Sequence, residues 1–207
     1  MMDCGKDWFR HLRNVAPTAI VLTHAHPDHA LGLADGAPCP VYATEATWNL
    51  LDRLPIRNRR QIPYRKSFAI AGVKFKAFPI QHSIRAPAVG YRVSVGRRSF
   101  FYAPDIAALP NPRQALCGVQ VFIGDAAVLT RSMVRKKAGQ LIGHTPVTTQ
   151  LDWCESADVA RAIFTHCGSE VVRSNAHQVN ARVRELGRMR GVIASLACDG
   201  DRMNLSA

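Results

Sequence analysis

No C-x-x-C pair occurs in this chain of 207 residues; its six cysteines, Cys4, Cys39, Cys117, Cys154, Cys167 and Cys198, stand singly. A secretory leader is also missing from the expected features, so reduced thiols in a cytoplasm are the simplest expectation. No apolar run approaches the length of a bilayer span, which sets aside a transmembrane helix, and no internal repeat or low-complexity tract is visible. Acidic residues are the scarce charge. Fifteen Asp and Glu face 27 Lys and Arg, a net charge of +12 that favours anionic partners such as phosphates or nucleic acid, or else marks a solvated basic surface. The length fits one domain over residues 1–207, large enough to bury a sizeable core.

Histidine, by contrast, is concentrated. Three of the eight histidines stand within six positions in Thr23-His24-Ala25-His26-Pro27-Asp28-His29, directly after Ala19-Ile20-Val21-Leu22. The apolar run reads as a buried strand, which puts the histidines in the loop at its end. Imidazole and carboxylate together suit Zn²⁺, or Mn²⁺ and Fe²⁺ where oxygen ligands are added. A solvated polar turn is the alternative, and Asp28 is the residue such a turn least needs.

This H-x-H-x-D-H pattern resembles the motif of the metallo-β-lactamase-fold hydrolases. The resemblance continues in order down the chain from Asp3 to about Leu205: His82 closes Lys74-Phe75-Lys76-Ala77-Phe78-Pro79-Ile80-Gln81, Asp105 follows Phe100-Phe101-Tyr102-Ala103-Pro104, and His166 follows Ala162-Ile163-Phe164-Thr165. It implies an α/β fold, a four-layer αββα sandwich, here without the family's usual opening strands. It also implies two divalent ions, Zn or Mn with Fe as a further candidate. His24, His26 and His82 would hold the first, Asp28, His29 and His166 the second, with Asp105 bridging. A water between the ions would then supply a hydroxide nucleophile oriented by Asp28.

Between these motifs the chain reads as scaffold. Residues 6–16 place Trp8, Phe9, Leu12 and Val15 at near-helical spacing, as in a short packing helix, with His11 on the surface. A helix is expected to start at Ala30-Leu31-Gly32-Leu33, with Gly32 allowing close backbone approach to the site. Thr44 reads as the N-cap of a helix to about Leu54. Residues 53–66 are expected to be a loop, because Pro55 and Pro63 interrupt a run of cations. Hairpins are expected around Gly72 and around Gly96-Arg97, then a strand over 119–123 with Asp125 as a strand-end hydrogen-bond acceptor, a helix over 146–157, a second over 175–190 and a last strand over 192–197.

Leu141-Ile142-Gly143-His144-Thr145-Pro146 narrows the resemblance to the phosphodiesterase branch of the family, which includes tRNA 3′-processing ribonucleases and the cyclic phosphodiesterase of phosphonate breakdown. Pro146 departs from the serine usual there. In that branch His144 would protonate the leaving oxygen or hold phosphoryl oxygens; alternatively it is a core histidine closing a strand. Arg57, Arg59 and Arg60 in one basic segment, and Arg135, Lys136 and Lys137 in another, could grip a phosphate or simply stay solvated. The expected function is that of a binuclear metal-dependent phosphodiesterase in the cytoplasm, acting on a small cyclic or nucleotide phosphodiester. RNA is a further expected substrate, a homodimer an expected assembly, and no membrane partner is expected. The alternatives are a lactone or thioester hydrolase, a nuclease, and a non-catalytic nucleic-acid-binding protein.

Overall fold

The computed structural model describes residues 1–205. The first half runs α1 (Leu12–Val15), β1 (Ile20–Val21), α2 (Pro27–Ala30), β2 (Val41–Ala43), α3 (Glu45–Leu50), β3 (Arg59–Gln61), β4 (Ser67–Ile70), β5 (Val73–Ile80) and β6 (Ala88–Val95). The second runs β7 (Arg98–Tyr102), α4 (Pro112–Leu116), β8 (Val121–Asp125), β9 (Arg135–Lys137), β10 (Gln140–Ile142), α5 (Val147–Ser156), β11 (Arg161–Thr165), α6 (Ser169–Arg173), α7 (Ala176–Arg188) and β12 (Ile193–Leu196). A three-stranded parallel sheet has the order β1-β2-β3, and a seven-stranded mixed sheet the order β12-β11-β8-β7-β6-β5-β4.

Three apolar clusters show how these elements are layered. Side chains alternate across a strand, so each strand feeds two faces. Ile20, Leu22, Val41 and Ala43 point to a cluster with Trp48 of α3 and Leu12 of α1, while Val21 and Tyr42 point the other way. There they meet Phe75, Ala77, Val89, Tyr91 and Val93 of the large sheet. The opposite face of that sheet, with Phe78, Phe101, Phe122 and Phe164, packs against Leu116 of α4, Leu151 of α5 and Val183 and Leu186 of α7. Helix, sheet, sheet and helix therefore stack in four layers, with the expected class and architecture.

Several boundaries differ from expectation, each for a local reason. Helix α2 begins at Pro27, not at Ala30, because proline is accommodated in the first turn; Asp28 and His29 therefore lie on the helix itself. Gly32 does allow close approach, but to the backbone of Cys4 and Gly5, which a Cβ would overlap. The expected packing helix over residues 6–16 is a 3-10 turn at Lys6–Trp8 followed by α1, and of its four apolar residues only Leu12 is buried. Residues 53–66 are not all loop: β3 adds Arg59–Gln61 to the small sheet. The segment of Arg135, Lys136 and Lys137 is likewise a strand, paired antiparallel with β10. Pro146 is the residue before α5, not its first residue. The cap expected at Thr44 accepts from the backbone N–H three residues on, and Asn175, expected as the first helical residue, is instead the cap of α7 and accepts in the same way. No helix of the described residues is long and apolar enough to cross a membrane.

Candidate metal centre

Strands β5, β7, β8 and β11 all run in the same direction, since β5 and β7 are both antiparallel to β6, and β7, β8 and β11 are mutually parallel. Their carboxyl ends thus share one edge of the sheet, and the segments leaving them carry His82, Asp105, Asp125 and His166. Strand β1 delivers His24 and His26 to the same place. This is where open α/β sheets place their ligand sites.

The structure brings the donor atoms of His24, His26, His82 and Asp105 within 4.8 Å of one another, and likewise those of Asp28, His29, Asp105 and His166. In the first group His24 Nε2 is 3.0 Å from His26 Nδ1, and His82 Nε2 is 3.2 Å from the same atom. Asp105 Oδ2 stands 3.4 Å from His24 Nε2, 3.3 Å from His82 Nε2 and 3.2 Å from His29 Nε2. In the second group Asp28 Oδ2 lies 3.2 Å from His166 Nε2 and 3.5 Å from His29 Nε2. A tetrahedral ion with bonds of about 2.0–2.1 Å has edges of about 3.3 Å, so these separations suit an ion at the centre of each group.

The remaining ring nitrogens support the same use. His29 Nδ1 donates to Asp3 Oδ2 at 3.0 Å, His24 Nδ1 meets Thr23 Oγ1 at 2.9 Å, and His82 Nδ1 meets the Gly143 carbonyl at 3.3 Å. Each bond fixes a tautomer that leaves Nε2 bare, the arrangement found where histidine binds a metal. His29 Nε2, Asp105 Oδ1 and His166 Nδ1 are buried without a hydrogen-bond partner, which is costly unless an ion occupies the site. His166 Nδ1 and Asp105 Oδ1 lie only 2.8 Å apart, yet they are not aligned for a hydrogen bond. His166 and Asp3 also hold left-handed backbone angles, φ 54° and 55°, which cost side-chain-bearing residues about 1 kcal/mol or more and persist only where the surroundings enforce them.

Electrostatics separate the two groups. Burial lowers His82 to about 4, only partly opposed by Asp105, and burial with the neighbouring His24 lowers His26. In the second group burial also disfavours charge, but the nearby carboxylates of Asp105 and Asp3 lift His29 to about 10, and those of Asp105 and Asp125 lift His166 to about 11. Burial of Asp105 is outweighed by the close imidazoles of His166, His24 and His29, which hold its carboxyl well below the usual range.

His144 stands beside these groups. Its ring stacks on His166 with centroids 5.5 Å apart, and Nδ1 donates to Asp125 Oδ2 at 2.7 Å. Asp125 has no spare oxygen: Oδ2 also accepts from Ile106 N, and Oδ1 from Ala127 N. It can be drawn with Asp105, His144 and His166 as a third donor group, but a carboxylate so engaged is better suited to orienting His144. Burial would keep His144 neutral, yet the Asp125 bond prevails and raises its pKa. Gly143 makes the turn possible, with φ 102° and no room for a Cβ against Met133.

The two basic segments part company here. Strand β10 leads directly into Gly143, whose N–H donates to the His82 carbonyl, so exposed Arg135, Lys136 and Lys137 on β9 belong to a ribbon rooted at the site. Arg59, level with Ile20 across β2, enters the small sheet at the end away from His24. Its guanidinium donates to the carbonyls of Leu51, Asp52, Leu54 and Ile56 and lies over the Trp48 ring. That commitment takes the place of the phosphate grip or solvated position expected of it; Arg60 adjoins it on β3 and Arg57 lies just before the strand.

Asp3, Tyr102 and Gln150 were not identified from the sequence. Asp3 accepts from Thr23 N, Thr23 Oγ1, His29 Nδ1 and Tyr102 Oη, and Gln150 bonds both backbone groups of Asp125. Only the Asp-x-Gly spelling of Asp3-Cys4-Gly5 offered a signal.

A four-layer sandwich whose strand ends converge on a histidine and aspartate cluster defines a metal-dependent hydrolase class. A family model described as the beta-lactamase superfamily domain matches residues 1–167, and the chain belongs to that superfamily. A coenzyme PQQ synthesis protein B from Methylobacterium nodulans is 25% identical over 193 residues, covering 76% of this chain and 64% of the relative. The chain thus spans less than two thirds of the length of that curated relative. A diphosphatase of the PhnP family shares the fold at a TM-score of 0.73 and 21% identity, covering 99% of this chain and 79% of that one. Human tRNase Z, short form, shares it at 0.66 and 17% identity, covering 100% of this chain and 88% of that one.

Proposed function

We propose that the chain is a binuclear metal-dependent phosphodiesterase acting on a small cyclic or nucleotide phosphodiester. The residues fit the ions: His24, His26 and His82 would hold one, Asp28, His29 and His166 the other, and Asp105 both. When bound, divalent ions of this kind lower the pKa of water to provide a nucleophile and neutralise charge developing on the attacked phosphorus. The observation that carries the phosphodiester reading is the His144–Asp125 pair beside, but not needed by, the two donor groups.

Asp125 fixes the tautomer and plane of His144 and favours its protonated form. Nε2–H is then the proton His144 can give to a departing alkoxide, the step that limits cleavage of an unactivated diester. Asp28, more exposed than any other donor at 58% of its side chain, orients the attacking water. Arg135, Lys136 and Lys137 on the adjoining ribbon raise the local concentration of an anionic substrate.

The test compares leaving groups. His144→Ala is expected to retain metal and lose roughly 10²- to 10⁴-fold in rate on a dialkyl diester, but little on a p-nitrophenyl diester, whose leaving group departs unaided. Equal losses on both would make His144 a phosphoryl-binding group. Loss of metal would make it a ligand through the third donor group.

A further inference from the structure

A cavity of about 220 Å³ opens beside the second donor group, and its lining includes Asp28, His29 and His166 together with Asp7 and Trp8. A larger one, about 780 Å³, lies over Phe75, Val95 and Phe100 and includes none of the donor residues. The small cavity is therefore the one that a group attached to the reacting phosphorus would enter. Trp8 is 41% exposed and belongs to none of the three apolar clusters, so its placement on the wall is not explained by core packing. Its residue neighbour Asp7 adds a carboxylate in a chain of net charge +12, where an anion at the substrate cavity runs against the general field.

We propose that this cavity is a subsite for the nucleobase of a nucleoside phosphodiester, with Trp8 as its stacking platform and Asp7 excluding a second anionic group. The inference rests on the phosphodiesterase reading and adds a substrate class to it. An indole face attracts planar rings with little regard to their hydrogen-bond pattern, and truncating such a platform weakens base binding roughly 5- to 100-fold. The volume is below the usual 300–1,000 Å³ of drug-sized sites, which suits a single ring system and not a stretch of RNA. Asp7 can accept from a ribose hydroxyl or an exocyclic amine, whereas a second phosphate would meet like charge.

The experiment uses metal-loaded protein with Trp8→Ala, Trp8→Phe and Asp7→Asn. Hydrolysis of a nucleoside 2′,3′-cyclic phosphate is compared with that of 1-O-methylribose 2′,3′-cyclic phosphate, which lacks the base. Trp8→Ala is expected to raise KM for the nucleoside substrate roughly 5- to 100-fold, with kcat little changed, and to leave the base-free substrate alone. Trp8→Phe should recover most of the loss. Equilibrium dialysis with adenosine monophosphate and ribose 5-phosphate gives a readout independent of turnover, and Trp8→Ala should weaken only the former. Asp7→Asn should improve the binding of a nucleoside bisphosphate more than that of the monophosphate. If neither cyclic phosphate is hydrolysed but adenosine monophosphate binding still depends on Trp8, the subsite stands and the phosphodiesterase reading falls. If base-bearing and base-free ligands respond alike to Trp8→Ala, or neither responds, the subsite is overturned whatever the activity.

Discussion

The two donor groups share Asp105 yet are built to opposite specifications. The group of His24, His26 and His82 is the more enclosed, with His24 fully buried, His82 6% exposed and only His26 partly open, and burial disfavours charge on His26 and His82. The group of Asp28, His29 and His166 faces a cavity, and in the ion-free protein its two imidazoles are charged through their carboxylate partners. His26 and His82 can take an ion without losing a proton, whereas His29 and His166 must surrender theirs. The difference teaches that a common ligand set need not mean equal sites: one group is suited to retain its ion and the other to present its ion to substrate.

The largest effects should come from removing what the groups share or what anchors the enclosed one. Asp105→Asn and His82→Ala are expected to abolish hydrolysis of every substrate and to lower bound metal toward zero by elemental analysis. His166→Ala should leave about one ion in place. Equal loss of metal in all three variants would break the distinction between the groups.

Next comes pH. His29 and His166 have raised values, so their charged-pair stabilisation of the ion-free fold is complete below the ordinary histidine value of about 6.5 and is lost as pH rises through about 10 to 11. His82 is depressed, so the ion-free fold loses stability as pH falls from about 6.5 toward about 4. Metal-free protein is thus expected to melt highest near pH ~6.5, where neither loss has set in. Metal titration by calorimetry at about pH 6 and about pH 8 should show proton release and a gain in affinity mainly in the second binding phase. Proton release confined to the first phase would reverse the assignment.

A smaller effect is expected at Asp3, which bonds His29 of the second group directly and reaches His24 of the first only through Thr23. Asp3→Ala should weaken the second ion roughly 10- to 100-fold and the first by less, since outer partners of metal-bound histidines act most on the histidine they touch. The smallest effect concerns the cations. Neutralising Arg135, Lys136 and Lys137 should raise KM for a phosphodiester several-fold in low salt, an effect lost when salt is raised. Neutralising Arg57 and Arg60 should change neither, and an equal response from both segments would return the ribbon to an ordinary solvated surface.

A metal site was readable from residues alone at H-x-H-x-D-H, because that pattern after an apolar run is local; His82, Asp105 and His166, each following an apolar strand, were picked out through the family resemblance. The α/β architecture was an implication of the same resemblance. Asp3 and Gln150 were not readable in their roles, since their partners lie 20 or more residues away and arrive only when strands pair. Strands β3 and β9 were hidden because Arg59–Gln61 and Arg135–Lys137 carry no apolar alternation; their side chains are exposed and their pairing is carried by the backbone. Trp8 was misread for the opposite reason. Its near-helical spacing from Leu12 suggested packing, but the turn at Lys6–Trp8 holds it at the rim of the cavity.

The most direct test of the central claim is phosphodiesterase activity measured as metal-free protein receives Zn²⁺ or Mn²⁺ in fractions of an equivalent, with bound metal assayed in parallel. Activity is expected to stay low through the first equivalent, while the enclosed group fills, and to rise through the second to a plateau at about two ions per chain. A plateau at one equivalent, or two bound ions with no hydrolysis of any phosphodiester, would contradict the account.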